Sequence, residues 1–172
     1  MKQSAAGSLA VLALGSNLPS RPRWLDVARA AIEGAGIEVL ATTPRWNTVP
    51  IGTVSQPDYL NQLLLVAGRR RGAEWLELVR AVEARAGRRR GLPKGPRTLD
   101  LDIILIQDES WATAELQVPH PGLLNRPYLL RGSALLVPDW IHPEEGLSMT
   151  ELAWRGLTGC WALGDPAVGS SG

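Results

Sequence analysis

The chain has 172 residues and a mass of 18.6 kDa, the size of one domain on a scale of roughly 100–200 residues each. Hydrophobic residues at 45% and charged residues at 20% describe an ordinary globular protein and exclude a disordered one. A formal net charge of +1 excludes a generally basic, nucleic-acid-coating surface, so any basic site must be local.

The single cysteine, Cys160, has no partner for an internal disulfide, which fits a reducing, cytoplasmic setting. Residues 1–7 and 167–172 read as flexible tails of one domain. Leu9–Leu14 is at the short limit for a signal-peptide core and works better as a buried first strand, stopped by Gly15-Ser16-Asn17. No run approaches the ~20 apolar residues of a membrane helix. A helix follows, with Ser20 as candidate cap and Pro22 in its first turn. Trp24, Val27, Ala28 and Ala31 recur at helical spacing as its buried stripe, and Gly34 and Gly36 end it. Ile37 to about Trp46 reads as the second strand, followed by a turn-rich loop from Thr48 to Pro57.

Tyr59–Ala67 is the third strand. Gly72–Ala86 is the second helix, with Trp75, Leu78, Val79, Val82 and Ala86 along one face. Arg69-Arg70-Arg71 between them reads as a solvated turn. A basic loop, Gly87–Arg97, precedes the clearest strand, Thr98–Ile106. Beyond it come Val118-Pro-His-Pro121, a helix over Leu123–Leu135 and another near Ser148–Trp154. The β-α-β-β-α-β order is that of the ferredoxin-like split βαβ motif. It predicts an α+β fold: an antiparallel sheet with helices against one face, and here a C-terminal extension.

On the last strand of that motif, alternation puts Asp100 and Asp102 on one face and Leu99, Leu101 and Ile103 on the other. An Asp-x-Asp is usually two solvated acids. Here the flanks are nearly all apolar, as in an interior strand, and interior strands seldom carry idle acids. Two anions about 7 Å apart resist burial unless a cation sits between them, and a pair of magnesium ions fits that space. The preceding loop supplies Arg88, Arg89, Arg90, Lys94 and Arg97 among glycines and prolines. Arginines suit the spreading oxygen charge of phosphoryl transfer, and the glycines permit a closing motion. No Gly-x-x-x-x-Gly-Lys-Ser/Thr is present, so this is not a P-loop site.

In chain order stand Leu14-Gly-Ser-Asn17, Thr48-x-Pro-x-Gly52, Gln56-Pro-Asp-Tyr-Leu-Asn61, Gly95-Pro-Arg-Thr-Leu-Asp-Leu-Asp-Ile-Ile104, Val118-Pro-His120 and Asn125-Arg126. This set, covering about residues 9–140, resembles the 6-hydroxymethyl-7,8-dihydropterin pyrophosphokinase family of the folate pathway. The resemblance implies transfer of the terminal pyrophosphoryl unit of the co-substrate ATP to the hydroxymethyl oxygen of a reduced pterin, releasing AMP. It implies that Asp100 and Asp102 ligate two magnesium ions, with Arg88, Arg90 and Arg97 around the phosphates. Arg88, Arg97, Asp100 and Asp102 would be the catalytic set. His120 and Arg126 would reach the nucleotide phosphates from the opposite side. Thr48, Val49, Pro50, Ile51 and Gly52 would offer backbone groups, and Asn61 its side chain, to the pterin edge. Tyr59 and Tyr128, the two tyrosines of the chain, would sandwich the pterin ring.

Apart from the resemblance, both tyrosines read as core aromatics and His120 as structural. Glu83 reads as a group that orients an arginine, His142 as a surface residue, and the tryptophans as core or rim. Pro93, Lys94 and Pro121 depart from the family pattern, which bears on adenine and loop contacts. The partners implied are two small molecules, with no nucleic acid and no membrane, acting on a monomer. Two rival readings use the same topology. A palm-like nucleotidyltransferase would release pyrophosphate, not AMP. An RNA-binding module would display aromatics on its sheet, where this chain displays Asp100 and Asp102.

Overall fold

An apolar run that stays apolar at odd and even positions needs cover on both sides, and Leu9–Leu14 is such a run. In the computed structural model, which describes residues 7–50, 55–86 and 99–160 (side chains through 156), it forms the centre of the sheet. Strand β1 is Ser8–Ser16, followed by α1 (Arg21–Gly34), β2 (Glu38–Thr42), β3 (Trp46–Thr48) and β4 (Tyr59–Gly68). Then come α2 (Gly72–Arg85), β5 (Asp100–Ile106), β6 (Trp111–Ala112), β7 (Gln117–Val118), α3 (Pro127–Leu136) and α4 (Met149–Cys160). The sheet order is β2-β4-β1-β5, with β3 also pairing β4, and every pairing is antiparallel. This is the ferredoxin-like order that the sequence predicts.

Helices α1 and α2 pack on one face against Ala10, Leu12, Leu14, Leu64, Val66, Leu101 and Ile103. The two helices of the βαββαβ core thus share one face, as the order predicts, and the C-terminal extension takes the other. Leu129 and Leu130 of α3 and Met149 and Leu152 of α4 cover Val11, Ala13, Leu63, Ile104 and Leu105 on the other face. The C-terminal extension thus closes a second apolar layer that β1 and β5 would otherwise expose to water.

Several boundaries also differ from expectation. Strand β1 runs through Gly15 to Ser16, because β4 and β5 continue to pair with it there. The second strand is split at Thr43-Pro44-Arg45. Proline has no amide for the ladder, and Thr43 bridges the gap, its amide donating to Leu63 O and its hydroxyl oxygen accepting the Leu63 amide, both at 3.0 Å. The α1 stripe is Leu25, Ala28 and Ile32, with Trp24 and Ala31 partly buried; Val27 lies outside that cluster. Ser20 precedes α1 in a left-handed conformation (φ 68°) and makes no side-chain cap.

Helix α3 starts at Pro127, not Leu123, because a proline disfavours the helical conformation in the residue before it, and Arg126 is extended. At α4, Glu151 accepts the Ser148 amide (2.8 Å) and Ser148 Oγ accepts the Glu151 amide (3.2 Å), a capping box. His142 is buried, not at the surface. Its Nδ1 accepts the amides of Glu144 and Glu145, folding the turn before α4. The β6–β7 hairpin was not read from the sequence. Among the described residues no helix is long and apolar enough to cross a membrane.

Candidate active site

The site grows from the register of three strands. Gly15 of β1 lies opposite Asn61 of β4 and Asp100 of β5, and Ala13 lies opposite Leu63 and Asp102. Directly opposed residues share a sheet face, so Asn61, Asp100 and Asp102 lie on the face that α3 and α4 cover further along. A bulge at the β1–β5 pairing keeps that face continuous: Leu12 pairs with Ile103 and Val11 with Leu105. Ile104 is thus the extra residue. Asp100, Asp102, Ile104 and Leu105 point one way, the acids at the open end and the aliphatics under α3.

The other end of the row is built by β3. Trp46 pairs with Asn61 and Thr48 with Tyr59, and Asn61 Nδ2 donates to Thr48 Oγ1 at 2.5 Å. Asn61 is buried and Tyr59 half-buried. Gly15 makes this close approach possible: a Cβ there would stand 2.8 Å from Asn61 Oδ1 and 3.6 Å from Tyr59 Cδ1. Behind it, Asn17 Nδ2 donates to Gln56 Oε1 at 2.9 Å and ties the β1–α1 loop to the segment entering β4. Val49 is exposed and Pro50 half-buried.

At the carboxylate end, the His120 amide donates to Ile104 O (2.9 Å), so the segment after β7 runs beside β5. His120 Nε2 lies 3.9 Å from Asp102 Oδ2. Its Nδ1 accepts the Gly122 amide at 2.9 Å. An amide can only donate, so the neutral ring carries its proton on Nε2, toward Asp102. Burial, joined by the Arg126 charge and opposed by Asp100, holds the His120 pKa below the ordinary histidine value and favours that neutral form. Burial is also the chief cause that pushes the Tyr128 hydroxyl up. Asp102 and Asp100 add to it and Arg126 opposes, which puts Tyr128 in the same electrostatic neighbourhood. Glu83 on α2, read as an orienter of an arginine, accepts the amide of Leu101 at 3.0 Å and steadies the residue between the two aspartates.

An open groove of about 350 Å³ leads from Asp102 and His120 along Leu76, Val79, Ile103 and Leu116. Its walls come from α2, β5 and the β6–β7 hairpin, with Glu115 and Gln117 polar among them. Their convergence is a tertiary effect that no local pattern announces. A second hollow of about 590 Å³ lies beside Asn17, Arg21, Asn47 and Asp58.

Thus Thr48, Tyr59 and Asn61 form one end of the site, and Asp100, Asp102, His120, Arg126 and Tyr128 the other. Ile51, Gly52, Arg88, Arg90 and Arg97, with Pro93 and Lys94, lie outside the described residues. Gly15 and Gly122 are points of close approach beside these residues that sequence reasoning did not assign; their signal was a glycine set inside or between the motif residues. Among the described residues no three His, Cys, Asp or Glu side chains come together. Two half-exposed carboxylates suit magnesium, which keeps waters and substrate phosphates as its other ligands, and do not suit a structural zinc.

The sequence model of the 7,8-dihydro-6-hydroxymethylpterin-pyrophosphokinase family matches residues 11–138. The chain belongs to this family. It is 35% identical over 147 residues to the 2-amino-4-hydroxy-6-hydroxymethyldihydropteridine pyrophosphokinase of Synechocystis, covering 83% of this chain and 73% of that one. It is 32% identical over 142 residues to the folic acid synthesis protein fol1 of Schizosaccharomyces pombe, covering 82% of this chain but 19% of that protein. A Plasmodium falciparum HPPK-DHPS structure with pterin and p-hydroxybenzoate superposes with a TM-score of 0.69 at 12% identity. It covers 91% of this chain and 44% of that one, and shows the shared fold. The pyrophosphokinase match takes in both ends of the site, from Gly15 to Tyr128. It favours neither the nucleotidyltransferase nor the RNA-binding reading.

Proposed function

We propose that the chain transfers the terminal pyrophosphoryl group of magnesium-bound ATP to the hydroxymethyl oxygen of 6-hydroxymethyl-7,8-dihydropterin and releases AMP. The observation that carries this reading is the paired row of Asp100 and Asp102 on one sheet face, with Asn61 two strands away and His120 Nε2 3.9 Å from Asp102. Asp100 and Asp102 would hold two magnesium ions. Magnesium bound there would supply charge neutralisation for the phosphate oxygens.

His120 presents an N–H, so it serves as a donor to phosphate and not as a base, and Arg126 adds its guanidinium beside it. The groove along Val79, Ile103 and Leu116, with Glu115 and Gln117 at its polar side, takes the adenine, which leaves the triphosphate running toward the carboxylates. Asn61 and the backbone at residues 48–52 read the edge of the pterin, between the rings of Tyr59 and Tyr128. Arg88, Arg90 and Arg97 supply further positive charge to the phosphates. Catalysis is then chiefly positioning and charge stabilisation.

On this reading the partners are two small molecules, without nucleic acid, and the enzyme acts as a cytoplasmic monomer. The test mixes the protein with magnesium ATP and the pterin and separates the nucleotides by chromatography. AMP formed only when the pterin is present supports the reading. Folded protein that forms none, or that forms AMP equally without pterin, refutes it.

A further inference from the structure

Gly122 stands between Val118-Pro-His120 and Asn125-Arg126, where neither motif assigns it a part. Its amide donates to His120 Nδ1 at 2.9 Å. Its carbonyl accepts the amides of Asn125 (3.2 Å) and Arg126 (3.0 Å). A Cβ built on it would lie 2.9 Å from Arg126 Nε and 3.1 Å from both Nδ1 and Cε1 of His120. The backbone does not require glycine here, since the positive-φ glycines among the described residues are Gly36 and Gly146. What requires it is the space between two side chains.

We propose that Gly122 is a positioning residue for the nucleotide phosphates. Its bare Cα lets the imidazole of His120 and the guanidinium stem of Arg126 close together beside Asp102, and its amide fixes which imidazole nitrogen faces them. This rests on the reading of His120 and Arg126 as phosphate ligands. Neutral imidazole has two tautomers, and the hydrogen bond at one nitrogen decides which atom the other presents. Here the Gly122 amide occupies Nδ1, so Nε2–H is the donor at 3.9 Å from Asp102 Oδ2.

Any side chain at 122 must push the ring or the arginine aside by a few tenths of an ångström. Hydrogen bonds weaken steeply with such misalignment, and charge-assisted ones have most to lose. The Arg126 side chain can yield without disturbing the core, so the turn survives while the contacts move.

The experiment compares wild type with Gly122→Ala, by calorimetric titration with magnesium ATP and by steady-state kinetics for each substrate. The expected result is a rise of about tenfold in Kd and KM for magnesium ATP, equivalent to about 1.4 kcal/mol. The pterin KM and the melting temperature stay unchanged. In a chain already carrying His120→Ala and Arg126→Ala, adding Gly122→Ala should cost nothing more, because the crowding acts through those two side chains. Unchanged affinity in folded Gly122→Ala, or an equal loss in the triple variant, overturns the proposal.

Nitrogen-15 NMR of the two histidines reads the tautomer directly. Protonated Nε2 with bare Nδ1 on His120 is expected, and the reverse overturns the proposal. Neither the titration nor the NMR needs turnover. A wild type that binds magnesium ATP but makes no AMP therefore sinks the proposed reaction and leaves these results to decide on Gly122. A wild type that does not bind magnesium ATP sinks both.

Discussion

Replacing Gly15 by alanine puts a methyl carbon 2.8 Å from Asn61 Oδ1, where an ordinary carbon–oxygen contact is about 3.3–3.6 Å. Something must retreat by about 0.5 Å or more. Asn61 is 4% exposed, tied to Thr48, and held on β4 between β1 and β3, so it has little room. Overpacking of this kind costs about 1–3 kcal/mol, and for a chain of this length each kcal/mol lowers the melting temperature by about 2–4 °C. Gly15 has no positive φ, so no backbone strain is added. The displaced amide is the group read as facing the pterin edge. A loss of about 1.4–2.8 kcal/mol there appears as a 10–100-fold rise in pterin KM. AMP release is measured while each substrate is varied with the other saturating. The reasoning predicts a pterin-specific loss in a folded, modestly destabilised protein. An unchanged pterin KM, or an equal loss for both substrates, would refute it.

Further outcomes follow from the same geometry. Asp100→Ala and Asp102→Ala should each lower turnover by more than about 10²–10³-fold with circular dichroism unchanged, since both acids are half-exposed; retained activity would remove the metal assignment. Tyr128→Phe keeps the ring and should leave pterin KM within about twofold, whereas Tyr128→Ala removes a stacking contact worth about 0.5–1.5 kcal/mol beyond its area; equal effects would count against stacking. The Glu151 carboxylate, held below the usual value of 4.5 chiefly by the Ser148 amide and hydroxyl, gives a pH dependence remote from the site. Its folded pKa is depressed, so the capping contribution is present above 4.5 and fades as pH falls through the folded value. Carbon-13 titration of Glu151 should show a midpoint below 4.5 that rises only partway in Ser148→Ala, which removes the hydroxyl but keeps the amide; a normal midpoint in wild type would contradict the cap.

Most of the core fold was legible because its signals are local. The alternation around Asp100 and Asp102 and the Trp75–Leu78–Val79–Val82 stripe each announce their element. What failed depends on tertiary partners. The α1 stripe fell on Leu25, Ala28 and Ile32 because the sheet, not the helix, chooses the buried side. The second strand breaks at Pro44, whose missing amide interrupts the ladder. Burial of β1 on both faces was written in Leu9–Leu14, yet the cover for its second face came from α3 and α4, far along the chain. The site shows the same division. Its acids, His120 and Asn61 stand in ordered motifs, whereas the roles of Gly15 and Gly122 are absences of atoms, meaningful only once their neighbours are in place. The groove likewise exists only when α2, β5 and the β6–β7 hairpin meet.

The central claim is that the β-phosphorus is the atom attacked, and position-specific phosphorus labelling tests it most directly. ATP labelled in turn at the α-, β- and γ-phosphates is incubated with magnesium, the pterin and the chain, and the label is traced into pterin and nucleotide products. The account predicts β and γ label together on the pterin and α label in AMP. Transfer of γ label alone, or of α label with release of pyrophosphate, would contradict it.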